Sequence, residues 1–168
     1  MPIIDRLGRA RAALQATAEA VPAELWRKPP RPGAWSAADV IAHLTMVEEA
    51  ITNGAAKVVG NTPRHVPFFK RLHLPVRLAR WRWLRAKTPI PLNSELIADK
   101  EEMLGRLAAL RQRTLDFLLE HRTLDLSAYR WPHPFFGSLH VYDWFKLIAH
   151  HEARHTQQIR EIVDPFQK

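Results

Sequence analysis

Ile3, Leu7, Ala10, Leu14 and Ala18 recur at three- and four-residue intervals, the spacing that lines one face of an α-helix. They predict a first helix from about Ile3 to Ala20, ended or bent by Pro22. A proline-rich loop, Lys28-Pro-Pro-Arg-Pro-Gly33, follows. Ser36 then offers an N-cap, with Asp39 three residues on approximating a capping box. The helix it opens carries Val40, Leu44, Val47 and Ile51 and fades near Gly54 to Gly60. A third stripe (Leu96, Ile97, Leu104, Leu107, Leu110, Leu115, Leu118) begins after Asn93-Ser94 and extends to about Glu120. The fourth starts near Ser138, after His133-Pro134-Phe135-Phe136-Gly137, and reaches about Val163. Its stripe is Trp144, Leu147, Ile148, His151, His155, Ile159 and Ile162. No alternation of period two signals a strand, and no internal repeat is present. Four long helices, with one long connection between the second and third, predict an all-α four-helix bundle.

That connection changes how the charge is read. Between Asn61 and Leu92 lie five prolines, with Phe68, Phe69, Trp81 and Trp83 set among arginines. Val76 to Lys87 fits a short helix or an irregular crossover equally well. The net charge is +8, yet Lys57 to Lys87 alone holds nine Lys/Arg and no acid. The remaining chain has 16 basic and 17 acidic residues, so the high charge belongs to one segment. Arginine interleaved with tryptophan from Arg77 to Arg85 can bind phosphate backbones or an anionic membrane surface. It can also cover a pocket, attract an anionic substrate or pack at a dimer interface. Without a nucleic-acid-binding motif, the pocket cover or packing element is the preferred reading, and nucleic acid is not the expected partner.

A chain of 168 residues is expected to form a single domain, 1–168, with residues 57–93 as the basic, proline-rich crossover. No apolar run approaches the roughly 20 residues of a transmembrane helix. The N-terminus lacks the pattern of a signal peptide. The absence of cysteine excludes disulfides and cysteine nucleophiles and fits a cytoplasmic location. Thiol chemistry would need a thiol from outside.

Candidate chemistry sits in the fourth stripe. His151-Glu152-Ala153-Arg154-His155 matches H-E-x-x-H, and histidines four apart share one helix face, close enough for one metal ion. A zinc protease of the common kinds needs a further ligand downstream, where Gln158 and Glu161 occupy the glycine and third-histidine positions of the extended motif. The protease reading is therefore weak, and a third ligand is sought upstream. His43, beside Val40, Leu44 and Val47 on the second helix, is the candidate. Three imidazoles leave coordination positions open for water or substrate. Glu152 is read as a solvated charge on the helix shoulder, with a general-base role for a water as the catalytic alternative. Asp39 is read as a helix cap rather than a partner of His43, and Gln158 as a pocket-lining residue one turn beyond His155.

Trp35-Ser36-Ala37-Ala38-Asp39-Val40-Ile41-Ala42-His43-Leu44 resembles the W-[ST]-x-x-x-V-x-x-H-[LV] signature of the DinB/YfiT-like superfamily. The stretch from His133-Pro134 through Gly137-Ser138-Leu139 to His151-x-x-x-His155-x-x-Gln158-Ile159 resembles its ending. The resemblance implies an up-down-down-up bundle whose divalent metal, often zinc or nickel, is held by His43, His151 and His155. It also implies a metal-dependent enzyme acting on a small molecule. Such an enzyme would be either a hydrolase activating water or a transferase using an external low-molecular-weight thiol. Similar proteins often form homodimers. The alternative is a non-catalytic module that uses the basic 57–87 segment to bind nucleic acid or anionic membrane.

Overall fold

A computed structural model describes residues 1–62, 75–80 and 97–166. Four helices dominate it: α1 (Pro2–Glu19), α2 (Ala37–Val59), α3 (Lys100–Glu120) and α4 (Val141–Val163). The aromatic and basic residues Phe68, Phe69, Trp81, Arg82, Trp83 and Arg85, together with Leu96, lie outside the described residues. Within the connection, a 3-10 stretch, Val76–Arg80, packs against α4 and buries Val76.

α1 starts with proline in its first turn, where the missing N–H is no loss. α2 opens on the capping box expected from the sequence. Ser36 Oγ accepts from the Asp39 N–H, and Asp39 Oδ2 accepts in turn from the Ser36 N–H at 2.8 Å. Asp39 is thus a cap, as expected.

Side-chain bonds between helices reveal how they run. Arg11 bonds the Leu107 carbonyl while Arg111 bonds the Leu7 carbonyl, so α1 and α3 are antiparallel. Glu48 and Thr52 of α2 meet Arg111 and Thr114 of α3 in the same order, so those two are parallel. Arg11 and Thr17 meet Glu152 and Arg160, which makes α1 and α4 parallel. α1 packs most heavily on α4, and α2 lies against both α3 and α4.

Three expectations need correction. β1 (Arg130–His133) and β2 (Gly137–His140) form an antiparallel hairpin where no strand was expected. Its four-residue strands bury only Leu139 fully, so no alternation could announce them. The turn is closed by Gly137 at φ 84°, a conformation suited to glycine. α4 therefore begins at Val141 instead of near Ser138, with His140 as N-cap: its Nδ1 accepts from the Asp143 N–H at 3.1 Å. α3 begins only at Lys100, because Ile97, although part of the apolar stripe, precedes the Asp99 cap.

Among the described residues, most of the buried apolar side chains fall into two clusters. One gathers Leu7, Ile51, Phe117, Leu118, Phe145 and Ile148; the other gathers Leu14, Ala38, Ile41, Leu107, Ile159 and Ile162. Along each of α1, α2, α3 and α4 the break between clusters is filled by a charged residue: Arg11, Glu48, Arg111 and Glu152. The interior is thus two apolar layers with a polar layer between them.

Candidate metal centre

His43 lies on the buried face of α2 and is 3% exposed. His151 and His155 lie one turn apart on α4; His155 is buried and His151 keeps partial exposure. The fold brings all three together, one ring nitrogen from each within 4.8 Å of the others. His43 Nε2 is 3.3 Å from His151 Nε2, and His151 Nε2 is 3.0 Å from His155 Nε2. The rings meet edge to face, at 68–88° to one another. Trp35 encloses the group, tilted on His43 at 5.0 Å and stacked on His155 at 6.2 Å and 16°.

Protonation can be worked out from the partners. His155 Nδ1 is 2.8 Å from Gln158 Oε1, an amide oxygen that can only accept. His155 therefore carries a proton on Nδ1, which in the neutral imidazole makes Nε2 the acceptor. Burial lowers the His43 pKa from 6.5 to about 4. Burial also holds His151 well below its ordinary value, followed by the charges of His155, His43, Arg154 and His133. Near neutral pH His43 and His151 are therefore uncharged. A single proton on His151 Nε2 can bond only one of its two neighbouring ring nitrogens.

The residues fit a metal ion by their donor chemistry. Metal–imidazole bonds of about 2.0–2.1 Å at a tetrahedral angle place two nitrogens roughly 3.3 Å apart, close to the separations seen. Gln158 supplies to His155 the outer hydrogen bond that metal-bound histidines usually make. His43 Nδ1 is buried and finds no hydrogen-bond partner among the described residues.

Glu152 is where the sequence reading fails. It is 1% exposed, not a solvated charge on the shoulder. One position along a helix turns about 100°, so Glu152 points away from the face of its histidine neighbours and into the bundle. Its Oε1 accepts from Arg11 Nε and Arg111 Nη2, both at 2.9 Å. Glu48 completes the layer, accepting from Arg111 Nε at 2.7 Å, Arg11 Nη2 at 2.5 Å and the Thr114 hydroxyl at 2.9 Å. Burial pushes the Glu152 carboxyl up, while Arg111 and Arg11 pull it back. Burial also works against the charge of Arg111, but its bonds to Glu48 and its attraction to Glu152 more than offset this and hold its pKa above the ordinary value.

The sequence reading missed Arg11, Glu48 and Arg111, although a signal was present. Each stands at helical spacing inside an apolar stripe, as in Leu7-x-x-x-Arg11-x-x-Leu14, and the four charges cancel. His133, on β1, also approaches the cluster closely enough to act on His151. Its Nδ1 accepts from the Phe135 and Phe136 N–H groups, which leaves its proton on Nε2. Its ring packs on Trp144, itself stacked on Trp131 at 4.6 Å.

Fold and cluster together define the class: a four-helix bundle whose interior converges three histidines. The model of the DinB superfamily matches residues 6–159, and the chain belongs to that superfamily. A curated relative, the uncharacterized protein YuaE of Bacillus subtilis (strain 168), is 25% identical over 146 residues, 80% of either chain. Among solved structures, TT2238, a four-helix bundle protein, superposes with a TM-score of 0.60 and 24% identity, covering 95% of this chain and 97% of its own. YfiT from Bacillus subtilis, described as a probable metal-dependent hydrolase with an unusual four-helix bundle topology, gives a TM-score of 0.61 at 19% identity. That match covers 99% of this chain and 86% of YfiT. No described helix is long and apolar enough to cross a membrane.

Proposed function

We propose that the protein is a divalent-metal-dependent hydrolase of small molecules, with His43, His151 and His155 holding the ion through Nε2. The observation that carries this reading is the convergence of three imidazoles, with Nε2 of His155 turned toward the others while its Nδ1 bonds Gln158. Imidazole ligands suit zinc and nickel. When bound, such an ion supplies Lewis acidity for hydrolysis. YfiT, similar in fold, is described as a probable metal-dependent hydrolase.

The chain's own residues divide the work. Gln158 fixes the tautomer and orientation of His155, and Trp35 restricts both His43 and His155. His151, the one partly exposed member of the cluster, marks the side from which substrate approaches. Glu152 belongs to the polar layer and is not the base. The test is elemental analysis of protein purified without a metal-affinity tag, expected to give about one ion per chain. The His151→Ala, His155→Ala double variant should lose that ion; unchanged stoichiometry overturns the assignment. Turnover of ester or amide substrates without added thiol separates a hydrolase from a thiol transferase.

A further inference from the structure

Arg11, Glu48, Arg111 and Glu152 come one from each helix and meet in the middle of the bundle, all under a tenth exposed. Ion pairs and hydrogen bonds join the group, although Glu152 Oε2 finds no hydrogen-bond partner among the described residues. Arg111 bridges Glu48 and Glu152, Arg11 bridges the same two, and Thr114 adds its hydroxyl to Glu48. The arginines also reach backbone carbonyls on each other's helices, at Leu107 and Leu7. Replacing buried ion groups of this kind with apolar residues is often neutral or even stabilising, so stability alone gives little reason for them. What such a layer does supply is direction. Its bonds form only when four helices stand at one height and one rotation, whereas apolar layers tolerate sliding.

That height and rotation matter for the histidines. Glu48 follows His43 on α2 by five residues, and Glu152 stands between His151 and His155 on α4. The two carboxylates are tied to the same pair of guanidiniums, so α2 and α4 are referenced to one another through Arg11 and Arg111. We infer that the Arg11–Glu48–Arg111–Glu152 layer is a positioning device. It sets the spacing between His43 and the His151/His155 pair, and with it the affinity and geometry of the metal site. The inference rests on the metal reading and adds residues that never touch the ion.

Cobalt(II) titrated into metal-free protein tests it, because its visible absorption reports coordination geometry and its titration reports affinity. Wild type should bind about one ion per chain. Glu152→Gln keeps shape but weakens the pairing with both arginines. It should bind roughly tenfold or more weakly, with a shifted spectrum, the scale on which supporting residues act at metal sites. Leu118→Ala, in the apolar cluster centred on Phe117 and Phe145, serves as the control for stability. It should lower the melting temperature at least as much while leaving affinity and spectrum as in wild type. Where Glu152→Gln does not fold, Thr114→Val, which removes one hydroxyl donor and keeps all four charges, should show the same change in smaller measure. Absence of cobalt binding by wild type overturns the metal reading itself. Wild-type affinity and spectrum in Glu152→Gln, or in Thr114→Val where it stands in, overturn the positioning role and leave the metal reading intact. An equal loss in Leu118→Ala also overturns the role, because affinity would then merely follow stability.

Discussion

Gln158 Oε1 can offer His155 Nδ1 only an acceptor, and one hydrogen bond thereby fixes a proton on Nδ1 and turns Nε2 toward His151. Gln158→Leu should weaken metal binding by about 10–100-fold, read by competition with a chelator of known affinity. Unchanged affinity would remove the tautomer argument. His43 makes a second prediction. Its pKa is about 4 in the fold and 6.5 outside it, so between these values the unfolded chain holds more protons than the folded one. Stability of the metal-free protein should therefore be fully present above pH 6.5 and fall as pH drops toward about 4. Melting curves across that range should show the fall, and His43→Phe should flatten it; equal slopes would clear His43 of the effect. The pair His151 and His155 was legible because a four-residue interval means one helix face. Glu152 was not legible: one position off that face is solvent on a lone helix but the bundle centre once α1 and α3 cover it.

Helix starts separate what local chemistry decides from what neighbours decide. The capping box of α2 was readable because Ser36 and Asp39 satisfy each other's backbone groups without help from elsewhere. Ser36→Ala should lower stability by about 1 kcal/mol in thermal unfolding. Ser138, where the sequence suggested that α4 begins, lies in β2. Ser138→Ala should change stability by no more than roughly 0.5 kcal/mol, and a larger loss would argue for a cap there. The hairpin escaped sequence reading because its strands are held by the turn at Gly137 and by packing instead of by a buried stripe. Trp131 of β1 stacks on Trp144 and lies against α2 at Gly54, where an added Cβ would sit 3.3 Å from the indole. Those contacts link residues distant in sequence, and no local pattern encodes them.

At the scale of the whole molecule, a polar layer divides two apolar clusters, and its charges are tolerable only as a set. Arg111→Met would leave Glu48 and Glu152 sharing Arg11 alone. It should destabilise the fold by about 3–5 kcal/mol in urea titration, the range for breaking a buried ion pair on one side. A loss below about 1 kcal/mol would mean that water reaches the layer. The sequence by itself determined four amphipathic helices, the α2 cap, the paired histidines of α4 and His43 as their candidate partner. The helices, the cap and the paired histidines follow from spacing along one helix or from bonds within one turn, whereas His43 followed from the need for a third ligand. Only the tertiary structure decided that the three Nε2 atoms converge, that Gln158 orients His155, and that Arg11, Glu48, Arg111 and Glu152 neutralise one another. Periodicity shows which face of a helix is buried; what that face meets depends on the height and rotation of its neighbours, which no single helix contains.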